Sequence, residues 1–281
     1  MTTVLPSSRT GTSSSVYASS HDPATLRTHK WRNVANSAAY LVPYLKPDMK
    51  ILDVGCGPGT ITIDLARYVP EGYVIGVEYA NKPLTAAREL AESEKVTNVQ
   101  FAIADALDLN KYADDSFDVV HAHQVLQHVP DPVKALKEMR RVAKPGGIIA
   151  ARESAAMTWY PKVPEIEQWY TLHIKVGKEL LGGSPDPGSY IHVWAQEAGF
   201  ARKDITCTAG TWCFNTPEDR KWWSSVWTQR VVTPRSIENA VDRGGYCTKE
   251  DLFNMANAWE NWGRDENGWF TILHGEIICR K

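Results

Sequence analysis

The sequence predicts a doubly wound α/β protein, a mostly parallel sheet of seven strands that carries a helical cap. Three observations point there. Five short apolar runs, at 51–54, 73–78, 99–104, 117–121 and 147–151, are nearly continuous rather than alternating, as strands buried on both faces are. The segments between them have helical spacing instead. Ile61, Leu65, Tyr68 and Val69 form one stripe, Leu84, Ala87 and Ala91 a second, and Val133, Leu136, Met139 and Ala143 a third. After Ser154 this rhythm stops, and eight of the eleven tryptophans fall in two long helix-leaning segments, 155–203 and 217–262.

The elements follow in order. Residues 1–20 hold eleven Ser or Thr and no hydrophobic period, so a flexible tail is expected there. From Asp22 the pattern is helical, with Leu26, Trp31, Val34, Ala38, Leu41 and Leu45 as its apolar positions, until Pro47-Asp48 turns the chain. The five strands and their helices then alternate as far as Ser154. Two further strands, at 204–214 and 270–280, complete the sheet, and the two tryptophan-rich segments become cap insertions in a single domain spanning 21–281.

Composition excludes several classes. Apolar residues make up 43% and charged residues 23%, which is ordinary for a globular chain. With 31 Lys and Arg against 33 Asp and Glu, there is no net basic field to draw in nucleic acid. No apolar run approaches the roughly 18 residues of a bilayer span, and no signal pattern opens the chain, so a cytoplasmic protein without membrane contact is expected. Five cysteines without CxxC spacing read as reduced thiols. His121 and His123 would share one strand face, but no ligand set completes a metal site, so none is expected.

The strongest local signal is Asp53-Val54-Gly55-Cys56-Gly57-Pro58-Gly59-Thr60, a glycine-rich turn that follows a strand and opens a helix. Its spacing is GxGxG, not the GxGxxG of dinucleotide binders, and no Lys-Ser/Thr follows as in a P-loop. Asp53 would repel a pyrophosphate but welcome an ammonium group. Glu78 ends the second strand, where an acid can take both hydroxyls of a ribose, and Asp105 ends the third, where it can receive an exocyclic amine. Three acids at the carboxyl ends of adjacent strands imply an adenosine that carries positive charge and lacks phosphates, which describes S-adenosyl-L-methionine.

The stretch 51–154 resembles the core of class I S-adenosylmethionine-dependent methyltransferases, with their Rossmann-like fold. The resemblance rests on DVGCGPG (53–59), GVE (76–78), AD (104–105), FDVVHAHQVLQHVPD (117–131) and KPGG (144–147). It is nearest to the small-molecule methyltransferases of ubiquinone and menaquinone biosynthesis and their relatives in secondary metabolism. NSAAYLVPYLKP (36–47) and the GWF…LHGE ending (268–276) look like the same group, less specifically. The resemblance implies that Asp53, Gly55, Cys56, Gly57 and Gly59 hold the methionine part of the donor and Glu78 its ribose. It further implies that Asp105 and Ala106 hold the adenine, that Tyr79 packs against it, and that His121 to Gln124 lie along the methionine tail.

Methyl transfer is an in-line displacement that asks mainly for alignment and exclusion of water, with at most one base. Two candidates for a catalytic role follow the later strands. His128 lies just past the fourth, and its alternative is a turn cap; Glu153 ends the fifth, and its alternative is an ion pair with Arg152 or Arg32. The cap indoles offer rigid apolar area for a small, aromatic or apolar acceptor, so Tyr160, Trp223 and Trp227 are candidate substrate contacts, with Trp31 a fourth; the resemblance implies that Trp31 and Arg32, on the N-terminal helix, close over the donor as a lid. An intact donor loop is equally compatible with a methyltransferase fold turned to cyclisation, in which the cofactor is not consumed, and a protein acceptor stays open. The oligomeric state has no signature in the sequence.

Overall fold

The computed structural model describes residues 23–281; the tail expected over 1–20 lies outside the described residues. Seven strands form one sheet in the order β3-β2-β1-β4-β5-β7-β6. They are β1 (Lys50–Val54), β2 (Tyr73–Glu78), β3 (Val99–Ile103), β4 (Phe117–His123), β5 (Ala143–Tyr160), β6 (Ile205–Phe214) and β7 (Trp269–Arg280). The first five pair in parallel, and β7 runs antiparallel between β5 and β6. The helices are α1 (Pro23–Lys30), α2 (Thr60–Tyr68), α3 (Asn81–Ser93), α4 (Pro132–Val142), α5 (Pro164–Lys175), α6 (Ile191–Glu197), α7 (Pro217–Val231), α8 (Pro234–Ile237) and α9 (Lys249–Arg264).

The two-residue period of each strand divides its apolar residues between two cores, which is why the runs read as continuous. Leu52, Val54, Val120 and Ile149 meet α4 and α6 on one face. Ile51, Val119 and Ile148 meet α2 and the segment Val34–Ala38 on the other. Order is reversed between β1 and β4, and the carboxyl ends of strands flanking such a switch point open a ligand crevice.

A third core forms the cap. The far ends of β5, β6 and β7 extend past the helical layers, and Trp159, Phe214 and Phe270 there pack against Ile166 and Trp169 of α5, Trp223 and Trp227 of α7, and Trp259 and Trp262 of α9. Trp169 and Trp259 meet edge to face at 4.9 Å, and Trp223 stacks on Phe214 at 4.3 Å.

Three elements differ from the sequence expectation. The fifth strand does not stop near Ala151 but runs to Tyr160, paired with β7 on both sides of a bulge at Ala155, so the cap begins on an extended sheet. Its Met157-Thr158-Trp159-Tyr160 is β-branched and aromatic, a strand composition hidden among tryptophans that were assigned to helix. The insertion over 155–203 is also divided: α5 joins the cap, whereas Ile191 and Ala195 of α6 bury against the sheet core. The helix expected from Asp22 is broken, with α1 ending at Lys30 and short turns at Val34–Ala38 and Val42–Tyr44.

Backbones touch where the turn Pro187–Ser189 crosses β7. A Cβ on Gly275 would overlap the Gly188 carbonyl, and one on Gly188 would overlap the Glu153 carbonyl. We expect Gly275→Ala to lower stability by about 2 kcal/mol or more, because backbone must move to admit the methyl group. Gly146→Ala, where no atom lies within 4 Å of the added carbon, keeps only the cost of its positive φ. Urea midpoints of the two variants check this ordering.

Candidate active site

The loop after β1 is built by glycine conformations. Gly55 has φ +69°, and Val125 fills the place its Cβ would take. Gly57 has φ +53° and nothing within 4 Å of that place, so its backbone borders open space. The amides of Gly55 and Cys56 both donate to the Val77 carbonyl, at 2.8 and 2.9 Å, which ties the loop to β2. Cys56 is buried beneath it, and burial pushes its thiol well up.

The three predicted acids gather at this edge, each with partners of its own. Asp53 is buried, and its two oxygens accept from Thr62 Oγ1 at 2.6 Å and His121 Nδ1 at 2.7 Å. Glu78 accepts from the Gly57 amide at 3.1 Å and the Tyr79 amide at 2.8 Å. Burial raises its carboxyl above the usual range, against the pull of those amides. Asp105 lies two residues past β3 and accepts the Leu107 amide at 2.9 Å, which turns the chain; Ala106 is partly buried behind it. The Tyr79 ring is about half exposed beside Glu78.

His121 departs from its expected place along a ligand. It is fully buried and spends Nδ1 on Asp53, so it fixes that carboxylate from behind. Its neighbour His123 is buried too, stacked on Trp212 at 5.7 Å, and burial holds its imidazole well below the ordinary range.

The loop after β4 hangs from Glu153. One Glu153 oxygen accepts the amides of Val125 at 2.9 Å and Leu126 at 2.7 Å, and the other faces the Gln127 amide at 3.4 Å. The carboxyl is fully buried, which pushes it up to about 8 although the amides oppose the shift. Arg152 pairs with Glu276 at 3.2 Å, and Arg32 donates to Gln124 Oε1 at 2.6 Å while its charge acts on Glu153. Glu153 thus sits behind the site and holds its wall. Gln124 has φ +53°, a strained setting for a side chain, and its Nε2 reaches Ser154 Oγ and His274 Nε2, both at 3.1 Å.

Sequence reasoning missed His274, Arg152 and Glu276 as a buried polar row. Burial and the Arg152 charge push His274 down to about 2, so it is neutral. The available signal was charge inside apolar strands: Arg152-Glu153 follows Ala150-Ala151, and His274-Gly275-Glu276 precedes Ile277-Ile278.

Between sheet and cap lies a cavity of about 320 Å³. Trp31, Trp169, Trp212, Trp222, Trp223 and Trp227 line it, with Gln124, Gln127, His128 and Ser154 on the sheet side. Of the predicted substrate contacts, Trp31, Trp223 and Trp227 line this cavity. Tyr160 does not: it is 59% exposed at the outer end of β5, because alternation along the strand turns Trp159 inward and Tyr160 out. His128 has Nε2 at 3.0 Å from the side-chain Nε2 of Gln127, and burial with the charges of Arg32, His173 and Arg230 lowers its imidazole to about 4. Among the described residues no His, Cys, Asp and Glu gather as a metal-binding group of three.

Comparison with known proteins agrees with this architecture. A family profile described as a methyltransferase domain matches residues 45–199. An uncharacterized methyltransferase of Schizosaccharomyces pombe is 37% identical over 273 residues, covering 94% of this chain and 96% of its own. A demethylmenaquinone methyltransferase of Staphylococcus carnosus is 34% identical over 56% of this chain and 62% of its own. Among solved structures, a methyltransferase of Bacillus halodurans superimposes with a TM-score of 0.56 at 22% identity, over 86% of this chain and 97% of that one, a likeness of fold. The chain belongs to the methyltransferase family, with the class I fold of seven strands that its strand order displays.

Proposed function

We propose that this methyltransferase moves a methyl group from S-adenosyl-L-methionine to a small aromatic or apolar acceptor bound under the cap. The observation that carries the reading is the indole-lined cavity, whose sheet-side wall is the loop that packs Val125 into Gly55 of the glycine turn. The residues present fit the donor. The open space beside Gly57 is a cradle that any Cβ would fill, and Glu78 is held at its rim by two backbone amides with oxygen lone pairs left for a diol. Asp53, occupied by Thr62 and His121, shapes the turn and supplies negative potential for an ammonium group. When bound, the donor supplies a sulfonium methyl as the electrophile.

The chain's own work is orientation and proton handling. The indoles exclude water and confine a flat ring to few orientations. His128 lines the cavity and is neutral at physiological pH, so it is the group placed to take a proton from an acceptor hydroxyl. Glu153 positions His128 by holding the amides just before it.

The direct test is product stoichiometry with candidate phenolic acceptors: one S-adenosylhomocysteine per methylated product supports transfer, and turnover without donor consumption indicates cyclisation chemistry. We expect His128→Ala to reduce turnover by about a hundredfold with donor affinity intact. Because His128 must be neutral to act, its limb of the pH–rate profile should fall only as pH drops through about 4. An undiminished variant contradicts the role.

Glu153 makes a prediction about stability. Its folded carboxyl titrates near 8, above the ordinary unfolded value, so the folded state holds the extra proton. That contribution is complete below the unfolded value and is lost as pH rises through about 8. Denaturation midpoints should therefore decline between pH 5.5 and 8.5, and Glu153→Gln should flatten that decline.

A further inference from the structure

The wall of the cavity under the cap holds two kinds of polar group. Several are bonded within the protein. Gln124 is engaged by Arg32, Ser154 and His274, and the Thr233 and Ser236 hydroxyls bond to each other and to the Arg230 carbonyl. Two cap residues differ. His173 of α5 and Asn239, on the turn Glu238–Arg243 that follows α8, line the cavity with hydrogen-bonding capacity that nothing among the described residues takes up.

His173 is held by ring contacts. It stacks on Trp169 at 5.7 Å with 15° between the planes, and meets Trp227 at 5.8 Å and 79°. Neither contact is a hydrogen bond, so both ring nitrogens keep their capacity. Burial and the Arg230 charge lower the imidazole to about 4, so the neutral ring presents one N–H donor and one acceptor nitrogen. Asn239 is 5% exposed, and Arg243 sets which way its amide faces. A guanidinium can only donate, so Asn239 Oδ1 accepts from Arg243 Nη1 at 3.2 Å and the two Nδ2 donors fall on the other side. Buried donors without acceptors are costly, and they describe what a ligand must bring.

Position gives that ligand a direction. Val176 and Val241 pack on the same cap core, and Tyr246 Oη donates to Glu179 at 3.0 Å, so the end of α5 and the turn Glu238–Arg243 are joined within the cap. Gln124 and Ser154 mark the opposite wall, on the sheet.

We infer that the acceptor carries a carbonyl oxygen on the end of its aromatic body turned away from the reacting hydroxyl, received by the Asn239 amide and the His173 imidazole. This rests on the reading of the cavity as the acceptor site. Asn239 can only donate there, and His173 adds its own N–H, so the pair selects an oxygen that accepts. A site built to hydrogen-bond such an oxygen rejects an analogue lacking it more sharply than indoles can discriminate by shape.

Calorimetric titration of the full chain tests it, first with S-adenosylhomocysteine and then, in its presence, with 6-acetyl-2-naphthol and with 6-ethyl-2-naphthol. The two probes share rings, hydroxyl and outline and differ in the carbonyl. The expected result is acetyl probe binding about ten- to a hundredfold tighter, with that ratio falling toward one in His173→Phe and in Asn239→Asp. The first substitution keeps a flat ring against the indoles and removes the nitrogens; the second keeps the oxygen that Arg243 uses and removes the donors. A general loss of packing weakens both probes together and leaves the ratio, so the ratio reports the contact itself. Equal binding of the two probes, or a ratio that survives both substitutions, overturns the inference and leaves methyl transfer to the hydroxyl standing. Binding of neither probe overturns it together with the reading of the cavity. A carbonyl preference on a chain that fails to bind S-adenosylhomocysteine supports the contact and contradicts the donor reading instead.

Discussion

The buried carboxyl of Glu153 is the fixed point of this structure. It hangs the loop after β4 from the end of β5 by the amides of Val125, Leu126 and Gln127. Val125, so placed, occupies the volume that Gly55 leaves beside the donor turn. Gln127 and His128 follow directly and form the cavity wall. One side chain therefore sets the spacing between the glycine turn and the cavity under the cap, the distance on which the proposed in-line displacement depends. An unpaired acceptor there would be expensive, and three donors from one loop offset part of that cost.

Charge is sorted by the same architecture. Acids collect at the ends of β1, β2 and β3, around the glycine turn, whereas arginines collect under the cap. Between them stand imidazoles that burial keeps neutral: His128 at about 4 and His274 at about 2. Gln124 links the sides, accepting from Arg32 and reaching Ser154 and His274, and its left-handed backbone is the strain that this junction tolerates.

Much of the crevice around the glycine turn was legible in the sequence because it is local. The strand, the glycine turn and the following helix are contiguous, and the acids mark strand ends that parallel topology brings together. The acceptor side was legible only as composition. Trp31, Trp223 and Trp227 line the cavity, but Tyr160 points out, because its facing depends on β5 extending nine residues beyond Ala151 under pairing with β7. Such pairing is set by contacts more than a hundred residues away in sequence, which no local period reports. Glu153 reads as a catalytic candidate because it ends the apolar core of a strand at the crevice, but its three amide partners come from another loop, which no local pattern reports. The contact of His121 with Asp53 is likewise made across two strands and has no local signature.

The central claim, that the glycine turn with Glu78 receives S-adenosyl-L-methionine, is tested most directly by calorimetric titration of the purified chain with that donor and with NADH, beside Glu78→Ala. The account predicts micromolar binding of the sulfonium nucleoside, at least tenfold weaker in the variant, and no heat from the dinucleotide. Binding of NADH in its place, or donor affinity indifferent to Glu78, would contradict the assignment of the crevice.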